Sequence, residues 1–123
     1  LDSYPKEMQR RKKLAEIYKK ELKGIVQFPL IPRFAEPSYN WIMILVEQRD
    51  ALIKSLAEQG TDLKVHYPYL LPELKSASKN CRVHGSLKNS NKKVKKIIRV
   101  PAGEHISERD VRYVCKQIID FYA

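Results

Sequence analysis

The sequence predicts an α+β fold: a small, mostly antiparallel three-stranded sheet with helices packed on one face. Three observations carry that prediction. Apolar runs of strand length lie at 40–46, 63–67 and 97–100, the last two stopped by Pro68 and Pro101. One-sided apolar stripes at helical spacing occupy 3–23, 49–59 and the segment opening at Ser107. Trp41 to Val46 is apolar without interruption, the pattern of a strand buried on both faces. A chain of 123 residues has few helices with which to cover two faces, so one face is expected to belong to a partner.

The first helix is expected over 3–23. Ser3 can cap it, and Pro5 suits the first turn, where a missing N–H is harmless. Leu14, Ile17, Tyr18 and Leu22 form its stripe, with Met8 less well aligned, and most of its lysines and arginines lie off that stripe. Gly24 offers a left-handed stop. Residues 25–37 read as a loop, because Pro29, Pro32 and Pro37 cannot donate to a ladder. Phe28, Leu30, Ile31 and Phe34 are expected to pin that loop by apolar contacts, and Arg33 could face an anion.

After the first strand, Leu52, Ile53, Leu56 and Ala57 give the 49–59 helix its inward face, and Gly60 stops it. Residues 63–67 alternate, with Leu63, Val65 and Tyr67 on one side and Lys64 and His66 on the other. Pro68 and Pro72 end this strand and start a loop or short helix through Ser78. Residues 79–88 have no strong pattern. Asn89 or Ser90 can cap a short helix at 92–96, before the third strand at 97–100. Ser107 and Asp110 have capping-box spacing, followed by Val111, Val114, Cys115, Ile118, Ile119 and Tyr122 on one face.

The length fits one domain, 1–123, and 43% hydrophobic residues suffice for a packed core. No apolar run approaches the ~18 residues of a membrane span, and the polar, turn-like residues 1–5 do not resemble a signal peptide. The chain opens on Leu1, as expected for a piece of a longer protein. Cys81 and Cys115 form no disulfide framework and suit a reducing cytoplasm. No metal site is expected. Cys81 and His84 have C-x-x-H spacing, but zinc needs four ligands, and Cys115, His66 and His105 have no paired spacing. The net charge of +10 favours encounter with phosphates, acidic proteins or acidic membrane surfaces. Lys88, Lys92, Lys93, Lys95, Lys96 and Arg99 form the densest basic cluster. No aromatic interleaves them for base stacking, so a solvated surface is its default reading. A free-standing basic nucleic-acid-binding module remains the alternative, and it predicts affinity that falls steeply with salt.

Several residues carry a family resemblance that covers essentially the whole chain. They are Arg11, Ala15, Tyr18 and Leu22 on the first helix, then Tyr39 and Trp41 leading the apolar strand. Arg49, Asp50, Leu52, Leu56 and Gly60 follow, then the triplet His66-Tyr67-Pro68. The strand running from Ile97 to Pro101 and the helix opening of Ser107, Glu108 and Asp110 complete the set. Together they resemble the C-terminal small domain of the DegT–DnrJ–StrS sugar aminotransferases, which are fold-type I pyridoxal phosphate enzymes. The chain departs from that pattern at Pro72, Ser90-Asn91 and Gly103, where the family commonly carries histidine, Ala-Glu and histidine.

The resemblance implies a missing N-terminal large domain that holds the cofactor lysine. The small domain would line the substrate entrance and would not transaminate alone. Pyridoxal phosphate is therefore expected in the full-length enzyme and not on this chain. The implied substrate is a nucleotide-linked keto sugar for surface polysaccharide or antibiotic assembly. The implied enzyme is a cytoplasmic homodimer, without membrane or nucleic-acid partners. His66 and Tyr67, at a strand end, can hydrogen-bond a sugar hydroxyl or phosphate. Arg33 could meet a nucleotide diphosphate through its planar fork. A third possibility is a degenerate domain kept for oligomer contacts.

Overall fold

The computed structural model describes residues 3–123. The turn expected to include Leu1 and Asp2 lies partly outside the described residues. Helix α1 spans Tyr4–Glu21 with Pro5 in its first turn. Ser3 does not cap it: its backbone is already helical, and its side chain makes no capping bond among the described residues. The start is held by charge instead. Glu7 accepts from Arg10 at 2.8 and 2.9 Å and from Arg11 at 2.9 Å. Leu14, Ala15, Ile17, Tyr18 and Leu22 turn inward, and Gly24 at φ +79° makes the expected left-handed exit.

The hydrogen bonds from Arg10, then those from Arg11, lower the Glu7 carboxyl from an ordinary 4.5 to about 2. A lowered carboxylate stabilises the fold above its unfolded pKa and loses that contribution as pH falls through its folded one. Thermal unfolding of Glu7→Gln should therefore differ from wild type at pH 6, with the gap closing between about pH 4.5 and 2. A gap that is constant over that range would contradict the ion-pair assignment.

Strand β1 is Ile42–Leu45, helix α2 is Arg49–Glu58, and a 3-10 turn at Leu71–Glu73 leads into the short helix α3, Lys75–Ser78. Helix α4 covers Lys88–Val94, strand β2 Ile97–Val100 and helix α5 Glu108–Tyr122. The α4 helix starts earlier than the spacing predicts. Asn89 and Ser90 fall inside its first turn and are not its caps.

Among the described residues the sheet has two strands, not three. β1 and β2 are antiparallel, with Ile42 opposite Val100 and Ile44 opposite Ile98. The segment expected as a third strand contributes one bridge, Lys64 to Arg99, through bonds of 3.3 and 2.7 Å. The chain bends at His66, and Pro68 has no N–H to offer, so the ladder stops there. Gln27 makes a matching single bridge to Leu45 on the other edge.

Helices α1, α2 and α5 form one layer over the sheet. Ile42, Ile44, Val46, Ile98 and Val100 point into that layer and are buried with Leu52, Leu56, Val111, Val114, Cys115 and Ile118. The capping box of α5 forms as expected. Ser107 Oγ accepts from the Asp110 N–H at 3.2 Å, and Asp110 accepts from the Ser107 N–H at 2.8 Å. Burial pushes the Cys115 thiol up to about 12, so this group packs as a small hydrophobe. A buried polar pair in the core is satisfied internally: Thr61 Oγ1 donates to Gln117 Oε1 at 2.6 Å.

The other sheet face is bare. Trp41 is 42% exposed, and Met43 and Leu45 are half-buried, so the continuous apolar run has a covered side and an open side. The loop at 25–37 is also less anchored than its composition predicts. Val26 and Phe28 reach the core, whereas Leu30 is 98% and Phe34 93% exposed. No described element covers those two side chains.

Candidate functional site

The open face is organised around Trp41. Alternation along β1 puts Ile42 and Ile44 inside and Trp41 outside, and the bridge of Lys64 to Arg99 brings a third chain segment alongside. Trp41 borders two clefts. The larger, about 620 Å³, is lined by Trp41, Lys64, Arg99, His105 and Tyr113, with residues 101–103 as part of its wall. The smaller, about 430 Å³, is apolar and lies between Phe28, Pro29, Ile31, Tyr39, Trp41 and Met43. At its edge Lys19 Nζ donates to the Tyr39 hydroxyl at 2.7 Å.

The wall of the larger cleft is fixed from behind. Arg10 donates to the Gly103 and Ile106 carbonyls at 2.9 and 3.0 Å. Tyr18 donates its buried hydroxyl to the Pro101 carbonyl at 2.9 Å, and burial pushes its own ionisation far upward. The loop carrying His105 is therefore anchored by helix α1 as well as by its own Ile106 N–H to Gly103 carbonyl bond at 2.9 Å.

His66 and Tyr67 do come together beside this face. The His66 ring lies 4.9 Å from Trp41, tilted by 41°, and Tyr67 meets His66 edge-on at 5.6 Å. Tyr67 is largely exposed, whereas His66 Nδ1 is buried and lacks a hydrogen-bond partner among the described residues. Neither residue lines either cleft; both approach the larger one through Trp41. Arg33 is separate. It sits in the exposed turn closed by Ala35 N–H to the Pro32 carbonyl at 3.0 Å, and it lines neither cleft.

Two residues that matter to this face were not among the expected site residues. Trp41 reads as the head of an apolar strand, not as a binding residue. Arg99 reads as one member of a lysine cluster, yet its guanidinium lies 5.5 Å over the Trp41 ring. The signal was present: Ile98 and Val100 face inward, so Arg99 must face outward opposite Met43.

Among the described residues no three His, Cys, Asp or Glu side chains gather as metal ligands. No described helix is long and apolar enough to cross a membrane. The residues present do not fit pyridoxal phosphate by themselves. Among the described residues no lysine is buried, so none occupies the dry, shaped pocket in which an imine-forming lysine works.

The sequence profile of the DegT/DnrJ/EryC1/StrS aminotransferase family matches residues 1–119, and the chain belongs to that family. Members are pyridoxal phosphate-dependent sugar aminotransferases. Solved structures share the fold. A DegT DnrJ EryC1 StrS aminotransferase from Brucella abortus superposes with a TM-score of 0.86 at 24% identity, over 94% of this chain and 31% of its own. A protein from Streptococcus pneumoniae assigned as a sugar aminotransferase, in its PMP form, gives 0.81 at 24% identity over 96% and 31%. DesI, in the presence of its TDP-sugar product, gives 0.80 at 16% identity over 96% and 32%. The chain thus spans about a third of the length of these structures. No curated protein matches it.

Proposed function

We propose that this chain is the C-terminal, substrate-lining domain of a pyridoxal phosphate-dependent aminotransferase acting on a nucleotide-linked keto sugar. The observation that carries the proposal is the bare sheet face. Trp41 is exposed and Met43 and Leu45 are partly exposed on this face, and Leu30 and Phe34 on the preceding loop stand in water. Exposed apolar surface of this kind is the sort on which other protein mass docks. Family membership and the one-third coverage of the solved aminotransferases support a large N-terminal domain as that mass.

In this proposal the cofactor and its lysine belong to the large domain, and this domain closes one side of the substrate entrance. His66 and Tyr67 would offer donors and acceptors to sugar hydroxyls, and Trp41 would hold His66 in place. Arg33, on its exposed turn, is a separate candidate for the ligand's phosphates. The TDP-sugar found with DesI supports the nucleotide-linked substrate. The proposed whole is a cytoplasmic homodimer serving polysaccharide or antibiotic assembly.

Absorbance spectroscopy tests the assignment. The chain alone, titrated with pyridoxal phosphate, is expected to give no saturable band at one equivalent. The protein extended by its upstream coding region is expected to give one. Stoichiometric saturation by the chain alone would overturn the proposal.

A further inference from the structure

We infer that the basic arm at 69–96 is a docking surface for an anionic lipid bilayer. The inference goes beyond the proposed function and does not rest on it. It also departs from the absence of a membrane partner that the resemblance implies. No described helix is long and apolar enough to cross a bilayer, so the contact is peripheral.

Charge and anchorage carry the argument. From Lys75 to Lys96 the chain holds seven lysines, one arginine and no acid, which is most of its net charge of +10. Among the described residues Lys96 is the one member of this set that reaches a carboxylate, that of Glu47. The others, from Lys75 to Lys95, are exposed. Lys88, Lys92 and Lys95 share one face of α4, and the half-buried Leu87 and Val94 lie off that face. The arm is also barely held by the rest of the fold. No apolar residue from Tyr69 to Val94 joins the described hydrophobic core or packs against it. The backbone hydrogen bonds made by Leu70 through Asn91 close within that stretch. Its ties lie at its ends, where His66 meets Trp41 and Arg49 donates to the Val94 carbonyl at 2.7 Å.

The side chains favour a bilayer over other polyanions. Tyr69, Leu71, Leu74 and Val83 stand exposed in the same stretch, and helix α3, which carries Lys75, packs on the turn that carries Leu71. Aliphatic groups beside lysines are what the headgroup region of an anionic bilayer takes. The ammonium groups meet lipid phosphates while Leu and Val enter the acyl boundary. A nucleic acid gains nothing from Leu71, Leu74 or Val83, which have no aromatic face for a base and no side-chain donor. Seven lysines to one arginine also suit a diffuse field of headgroups better than phosphates read one at a time by a planar fork.

Co-sedimentation with vesicles tests this, on the chain and on the protein extended upstream. The vesicles are phosphatidylcholine alone and an equimolar mixture with phosphatidylglycerol. Both proteins are expected to sediment with the mixed vesicles and not with the neutral ones, and binding should fall as salt rises. The variant Lys88→Gln, Lys92→Gln, Lys93→Gln, Lys95→Gln should weaken binding by about 100-fold or more. Removing the same charge elsewhere, by Lys6→Gln, Lys20→Gln, Lys23→Gln and Lys54→Gln, should weaken it by less than about 10-fold. Leu71→Ser with Val83→Ser should weaken it by about 10-fold. All of these side chains are exposed, so circular dichroism should show each variant folded. The inference is overturned if mixed and neutral vesicles sediment the protein equally, if the two lysine variants lose binding equally, or if the Leu71 and Val83 variant binds as wild type does. It is overturned too if single-stranded RNA strips the chain from the vesicles at equal phosphate concentration, or if the extended protein does not bind because its remaining mass covers the arm. The cofactor titration of the extended protein decides the domain assignment separately.

Discussion

Tyr18→Ala is expected to destabilise the chain by about 3–5 kcal/mol, in the range seen when large buried aromatics are truncated. Tyr18 is completely buried on the inward face of α1, where the helix layer meets the sheet. Its ring fills the centre of the core, and its hydroxyl ties α1 to Pro101, the residue that ends β2. Truncation leaves a cavity and frees the Pro101 carbonyl together. A domain of this size has about 5–15 kcal/mol of total stability, so the loss is a large share of it. Tyr18→Phe removes only the hydrogen bond and should cost about 1 kcal/mol. Urea denaturation of the three proteins provides the comparison. If Tyr18→Ala costs no more than Tyr18→Phe, the core has been assigned to the wrong residues.

The second large effect depends on where it is measured. The double variant Leu30→Ser with Phe34→Ser should leave the stability of this chain within about 0.5 kcal/mol of wild type, because both side chains are already in water. In the protein extended upstream, the same two changes should weaken docking of the small domain. The expected loss is up to about 3–6 kcal/mol, from about 1.5–3 per buried Leu or Phe side chain, as an upper bound. Limited proteolysis between the two parts, or denaturation of the extended protein, measures the difference. An equal response in the two contexts would mean that nothing covers this loop.

Most of the layer structure was legible in local pattern. The stripes of α1 and α5, the left-handed Gly24, the Ser107–Asp110 box and the β1 and β2 runs are each dictated by side-chain spacing within one element. What was not legible depended on neighbours. Residues 63–67 alternate like a strand, but strand pairing also requires backbone donors in register, and the bend at His66 before Pro68 removes them. Ser3 has the chemistry of a cap, yet the ion pairs of Glu7 with Arg10 and Arg11 organise that end of the helix without it. Leu30 and Phe34 are apolar enough to predict burial, yet no described segment of the chain covers them.

The clefts were less readable: none of His66, Tyr67 and Arg33 lines either of them. The triplet His66-Tyr67-Pro68 ends no strand, and its His66 ring lies 4.9 Å from Trp41. The larger cleft, however, is bounded by residues from four separate segments: 40–41, 60–64, 99–106 and 110–114. Linear spacing cannot bring Trp41, Lys64 and Arg99 together; only the pairing of Lys64 with Arg99 and of Arg99 with Met43 does so.

The emission of Trp41 in the isolated chain and in the upstream-extended protein decides most directly whether the bare face of β1 is a docking surface. Attachment is predicted to shift the emission to shorter wavelength and to shield the indole from acrylamide. Identical spectra and identical quenching in the two proteins would show that the face stays in water, and the assignment of this chain as one lobe of a larger enzyme would then lose its physical basis.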